Sequence, residues 1–290
     1  MGSVLRMIPF IKRTRERWSI GIYTGKDPFN LDSPRSNPVL TCADITDVIA
    51  SSVADPFMVY ENEIWYMFFE VYNILSGRAS IGFATSKDTS YWKYEQIVLD
   101  EPFHLSYPYV FRWDHEYYMI PESRAASSVR LYKAMDFPKK WVAVRNLLEG
   151  DYADPSILYH NGKWWLFALR GHDELTLHYS DNLEGRWYAH PKSPLITGNK
   201  HISRPGGRMI VFDDRIIRYT QDDEPTYGHQ LRAFEIDVLT TTDYQEHEIA
   251  QTPVLKASGH GWNADGMHNI DSYRLSENRW IACVDGVCRK

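Results

Sequence analysis

One three-residue motif returns five times along this chain. It reads Ala54-Asp55-Pro56, Ser106-Tyr107-Pro108, Ala153-Asp154-Pro155, Ser203-Arg204-Pro205 and Ala264-Asp265-Gly266. The step is roughly 50 residues, the length of one four-stranded unit in a radial repeat. Such a period over nearly the whole chain predicts an all-β fold, a five-bladed β-propeller. Equivalent residues of a propeller ring one axis, so five positions remote in sequence become neighbours.

The stretches between motifs read as strands. After the first motif come Phe57-Met58-Val59-Tyr60, a turn at Glu61-Asn62-Glu63, and Ile64-Trp65-Tyr66-Met67-Phe68-Phe69-Glu70. The third unit turns at Asn161-Gly162, a pair that accepts positive φ and favours a hairpin. The aromatic residues suit a pleated, half-buried surface. A third strand follows in each unit, as in Ser80–Thr85 and Leu175–Ser180, and then an outer strand led by an aromatic residue: Trp92, Trp141, Trp187 or Tyr244.

The fifth unit ends early, at Trp280-Ile281-Ala282-Cys283-Val284. Its missing strands are legible at the other end of the chain. Ser19-Ile20-Gly21-Ile22-Tyr23-Thr24 echoes Ser80-Ile81-Gly82-Phe83-Ala84-Thr85, and Pro38-Val39-Leu40-Thr41 is expected to form the outermost strand. The N-terminal strands therefore complete blade five, which removes a free sheet edge. The expectation is one propeller domain over 1–290, with 1–17 as an arm. Lys12, Arg13, Arg15 and Arg17 make that arm basic.

Composition narrows the partners. The net charge is −6 with both signs mixed, so no basic footprint for nucleic acid is visible. No apolar run reaches membrane-spanning length, and no secretory apolar segment follows Met1, which makes a cytoplasmic location the expectation unless the chain is a piece of a larger protein. Cys42, Cys283 and Cys288 do not form a disulfide framework.

The motif residues Asp55, Tyr107, Asp154, Arg204 and Asp265 are expected around one funnel. Returning strands bring Glu70, Glu122 and Asp285 to the same face, with Gln221 and Asp222 from blade four and His268 nearby. Converging carboxyls raise one another's proton affinity. A pair of them is what glycosidic hydrolysis needs: one protonates the leaving oxygen, and the other activates water or attacks the sugar. Asp55, Glu122 and Asp154 are the catalytic candidates. Glu70, Tyr107, Arg204, Arg208, Asp265 and His268 are the substrate-binding candidates, with the two arginines placed to clamp an anionic group. Trp113, Tyr227 and Trp262, with Tyr107, are candidates for stacking on sugar rings. Each Asp-Pro can instead be an Asx turn repeated because the blades repeat, and both readings stand at this stage. No cofactor is expected to be required, and a structural calcium in the central channel is left open.

These residues resemble the five-bladed propeller glycosidases: arabinanases, xylosidases, invertases and levansucrases. A narrower set looks like the N-terminal domain of glucosamine inositolphosphorylceramide transferases and related bacterial domains: Ser106-Tyr107-Pro108-Tyr109, Ile120-Pro121-Glu122-Ser123, Trp164-Trp165-Leu166-Phe167, Ser203-Arg204-Pro205-Gly206-Gly207-Arg208 and Gly266-Met267-His268. The glycosidase resemblance implies Asp55 as base and Asp154 as the residue tuning the acid. Blade four carries Arg204 where that resemblance would put an acidic Glu, so Glu122 is taken as the acid on the chain's own layout. Two functions follow. One is a glycoside hydrolase acting on an oligosaccharide or glycoconjugate. The other is a non-catalytic glycan-binding domain serving a glycosyltransferase partner or fused domain.

Overall fold

The computed structural model describes residues 16–34 and 36–289, and Lys12, Arg13 and Arg15 lie outside them. Five antiparallel sheets follow one another around an axis. Blade one runs Ala50–Glu61, Ile64–Asn73, Arg78–Ser86 and Lys93–Leu99; blade two runs Ser106–Trp113, Glu116–Glu122, Ser128–Asp136 and Lys140–Glu149. Blade three is Tyr152–His160, Lys163–Arg170, Glu174–Ser180 and Tyr188–Ala189. Blade four is built on Arg204–Pro205, Arg215–Asp222, Gln230–Leu239 and Tyr244–Glu248, with the short strands Ile210–Phe212 and Leu255–Lys256 added. No helix among the described residues is long and apolar enough to cross a membrane.

Blade five joins the two ends of the chain. Ile270–Ser276 and Arg279–Arg289 form its inner half, and Glu16–Gly25 pairs antiparallel with Arg279–Arg289 from Glu16 opposite Arg289 to Gly25 opposite Trp280. Arg17 thus belongs to a strand, and the expected arm boundary at 17 moves back. The outermost position also differs from expectation. Leu31–Asp32 pairs with Thr24 and Gly25, while Leu40 bridges Ile20 further along. Two short segments share the edge because the turn Asp27–Asn30, held by the Asp27 carboxylate, reverses the chain before residue 38.

Between blades the contacts are apolar. Phe57, Phe68, Tyr107, Tyr109 and Ile120 belong to one buried cluster spanning blades one to three, and Ile20, Leu40, Met58, Phe69 and Cys283 pack blade five onto blade one. The seam between blades four and five depends on glycine. Gly207 has φ +146°, and a Cβ there would stand 1.9 Å from the Ile270 carbonyl oxygen. Its absence lets the backbones pair, with Arg208 N–H donating to Ile270 O and Ile270 N–H to Gly206 O.

Deletion of residues 1–45 removes two strands' worth of blade five and exposes the apolar flank of Arg279–Arg289. The truncated protein is expected to lose cooperative thermal unfolding; a single sharp transition by circular dichroism, matching the full chain, would refute the closure.

Candidate functional site

Three of the repeated motifs share an unusual backbone. Asp55, Tyr107 and Asp154 have φ of 52°, 46° and 48°. Each lies within a break in strand register: between Ala54 and Phe57, Ser106 and Tyr109, and Ala153 and Ser156. A left-handed non-glycine residue costs about 1–3 kcal/mol, so three of them are held by their surroundings. The bulge turns the side chain out of the pleat and toward the axis. The motif is therefore a device for aiming side chains, and what it aims differs from blade to blade.

Blade one aims Asp55. Its backbone N–H donates to Asp285 Oδ2 at 2.9 Å, and its own carboxylate accepts from Tyr107 N–H at 3.2 Å. Blade three aims Asp154, which takes Arg204 Nε at 2.5 Å and Gln221 Nε2 at 2.7 Å. Blade two returns Glu122, which accepts from Asp154 N–H at 3.3 Å and stands 3.9 Å from the Arg204 guanidinium. Blade five contributes Asp285, which also accepts from the N–H groups of His268 and Asn269 and lies 2.7 Å from His268 Nδ1. That last contact is an ion pair, not an aligned hydrogen bond. The His268 ring stacks on Trp18 at 3.9 Å between centroids.

Above these groups opens a cavity of about 280 Å³, lined by Asp55, Glu70, Glu122, Arg204, His268 and Tyr227, together with Trp18, Tyr72 and His104. A larger depression of about 410 Å³ lies on the outer flank, between the Asp27–Phe29 turn and the outer strand of blade four, away from the motif residues.

Proton affinities in the cavity follow from burial and crowding. Burial raises the Asp55 carboxyl, the Asp154 and Asp285 charges add to this, and His268 and Arg204 oppose it; the result is about 7. Burial likewise lifts Glu70 and Glu122 well above the usual carboxyl range, with Asp154 the main charge acting on Glu122. For His268 burial pulls the other way, and the Asp285 and Asp55 carboxylates outweigh it, to about 9. His268 is thus a buried imidazolium between two acids.

Six of the nine residues singled out in the sequence meet here: Asp55, Glu122, Glu70, Arg204 and His268 line the cavity, and Asp154 lies directly behind Arg204. Three do not. Tyr107 is fully buried and its hydroxyl bonds Ser156 and the backbone of Gly207, because the bulge sends a long side chain across the axis and not up to the mouth. Arg208 is bound to Asp271 at 2.5 Å and to the Val110 carbonyl and does not line the cavity. Asp265 takes the Arg289 N–H at 2.6 Å, and His268, three residues later, occupies the inward place expected for it. Of the stacking candidates only Tyr227 reaches the cavity. Trp113 ends the hairpin at the opposite end of its strand from Ser106, and Trp262 packs against Gly21 and Gly286. Trp18 and His104 were not read from the sequence. Trp18 enters only through ring closure, and His104 sits in a loop before the second motif, with no repeat to mark it.

Asp55, His268 and Asp285 offer ligand atoms within 4.8 Å of one another. They do not fit the calcium considered above. Calcium takes six to eight oxygens, whereas this cluster offers two carboxylates and an imidazole nitrogen, and backbone N–H groups already occupy Asp285.

Fold and cavity together define a five-bladed, glycoside-hydrolase-like propeller. Among solved structures it is similar to the catalytic domain of the Coprinopsis cinerea α-L-arabinofuranosidase (TM-score 0.62, 9% identity, covering 92% of this chain and 97% of that one). It is also similar to the Cellvibrio cellulosa α-L-arabinanase (TM-score 0.59, 17% identity, 79% and 90% covered). At these identities the likeness is one of fold. The family model described as glucosamine inositolphosphorylceramide transferase 1, N-terminal, matches residues 12–287, and the chain belongs to that family. Relatives named glucosamine inositolphosphorylceramide transferase 1 from Oryza sativa subsp. indica and Arabidopsis thaliana are each 34% identical over 93% of this chain. The chain spans about 40% of their length.

Asp285 holds three backbone N–H groups and an imidazolium, so Asp285→Ala leaves a buried positive charge without its partner. The expected loss is about 3–5 kcal/mol of stability, read by urea unfolding. A midpoint equal to wild type would remove Asp285 from this role.

Proposed function

We propose that the chain is a carbohydrate-active propeller that hydrolyses a glycosidic bond at the funnel mouth. The observation carrying this reading is that one cavity is lined by two buried carboxyls, Asp55 and Glu122, both lifted above the usual carboxyl range. Glu122, lifted well above the usual carboxyl range, is suited to hold a proton, and Asp55, at about 7, is suited to take one up, which is the division of labour an acid and a base require. Glu122 gives its proton to the leaving glycosidic oxygen. Asp55 takes a proton from water, and the water oxygen bonds to the anomeric carbon as the glycosidic bond breaks. Asp154 acts through Arg204, holding the guanidinium beside Glu122. Tyr227 and Trp18 supply aromatic walls suited to a sugar ring.

A second reading, a glycan-binding domain serving a glycosyltransferase, is favoured by one feature. In blade four Arg204 occupies the place where related glycosidases are expected to carry an acid, and the named relatives are transferases more than twice as long.

The two readings separate on a panel of aryl glycosides and oligosaccharides. Asp55→Asn and Glu122→Gln are each expected to lower turnover at least a hundredfold while melting and glycan binding stay unchanged. Binding without release of any sugar by the wild type would establish the second reading instead.

The pH profile is an independent check. Asp55 must be ionised to act as base and Glu122 protonated to act as acid, so kcat/KM is expected to rise with pH through about 7 and to fall again at higher pH as Glu122 loses its proton. A rising limb centred near 4 would exclude Asp55 as the base.

A further inference from the structure

We propose that Glu70 and His104 together read one free hydroxyl of the bound sugar, so that the mouth takes an uncharged sugar with that hydroxyl unsubstituted. This rests on the funnel being the sugar site and goes further by naming the group recognised and the two residues that recognise it.

The cations of the mouth already have partners within the protein. Arg204 is 2.5 Å from Asp154 and 3.9 Å from both Glu122 and Asp223, and its guanidinium lies 5.0 Å from the centre of the Tyr227 ring. His268 lies 2.7 Å from Asp285 and stacks on Trp18. Glu16, at the rim, is 2.9 Å from Arg289. Neither cation lining the cavity is left over for an anionic substituent, and the clamp expected at Arg204 closes on the protein's own acids.

Glu70 and His104 line the same cavity and are not engaged in this way. Glu70 pairs across the strands with Ala54, one residue before Asp55, and so stands beside the proposed base. His104 accepts the Ala79 N–H at its Nδ1, at 3.2 Å, which leaves the ring proton on Nε2. Burial lowers the proton affinity of the ring and favours the same neutral form. Nε2 lies 3.6 Å from Glu70 Oε1, beyond a hydrogen bond.

One side of this gap donates and the other accepts. An oxygen standing beside the line between them reaches both, and it must accept from His104 and donate to Glu70. A hydroxyl does both. Glu70 keeps an oxygen able to accept whether or not its carboxyl is protonated, so the match does not depend on its charge. An ammonium has no lone pair for His104, and a carboxylate or sulfate has no hydrogen for Glu70. An acetamido group holds its N–H and C=O on opposite sides of a planar amide, and the two cannot turn into one gap together.

Isothermal titration calorimetry on the Glu122→Gln protein, which leaves the ligand uncleaved, tests the pair. The uncharged disaccharide bound most tightly from a panel of hexose and pentose disaccharides is compared with derivatives in which one hydroxyl at a time is replaced by hydrogen. Loss of one particular hydroxyl is expected to weaken binding at least about fivefold, and an amine or acetamido group in its place to weaken it as much. Adding Glu70→Leu or His104→Leu is expected to weaken the parent sugar to the same degree and to erase its advantage over the deoxy sugar. Glu70→Gln, which keeps an accepting oxygen, is expected to hold the parent sugar within about threefold. Should the leucine variants fail to fold, nitrogen-15 NMR decides: the His104 Nε2 signal is expected to move on adding the parent sugar and to stay in place on adding the deoxy one. A smaller loss at every position, a loss that persists in both leucine variants, a Glu70→Gln protein as impaired as Glu70→Leu, an amine bound as tightly as the hydroxyl, or an unmoved Nε2 signal overturns the proposal. If the wild type cleaves a sugar none of whose hydroxyls depends on Glu70 and His104, this inference falls while hydrolysis stands. If the hydroxyl is read but no sugar is cleaved, hydrolysis falls while this inference stands. Binding of no uncharged disaccharide removes both.

Discussion

Closure of the ring by the strand Glu16–Gly25 is the contact on which the rest depends. It pairs along its whole length with the last strand of the chain, and so fixes blade five against blade one. The same strand puts Trp18 against His268 and Glu16 at the rim. Closure and site assembly are therefore one event. The imidazolium of His268 sits under Trp18, between Asp55 and Asp285, only when both ends of the chain are in place.

Inside the ring, strain and charge compensate. The bulges at Asp55, Tyr107 and Asp154 hold unfavourable backbone angles, and each is tied across a blade boundary by hydrogen bonds: Asp55 to Asp285 and Tyr107, Tyr107 to Gly207, Asp154 to Gln221. Burying so many acids is costly unless cations or N–H groups meet them. Asp154, Asp271 and Asp285 are met by Arg204, Arg208 and His268. Glu70 and Glu122 have fewer such partners, and both line the cavity.

Much of this was legible in the chain because the repeat does the placing. A motif at blade spacing located Asp55, Asp154 and Arg204, and the length of a hairpin located Glu70, Glu122 and Asp285. Legibility ended where position and direction part. Tyr107 shares the bulge of Asp55, yet its longer side chain reaches across to Gly207. Asp265 satisfies the pattern by spelling, but the fifth inner strand starts later, at Ile270, so His268 faces inward instead. Partners from loops, such as His104, have no periodicity to betray them. Nor could spacing show that Arg204 is surrounded by acids, since that depends on how three blades meet.

Arg208 reaches from blade four to Asp271 of blade five and to the carbonyls of Met58 and Val110 in blades one and two. Its guanidinium lies among the rings of Phe57, Tyr109 and Tyr273. This cross-brace ties four blades together at the hub. Because one side chain answers groups on four blades, the blades cannot shift at the hub independently of one another.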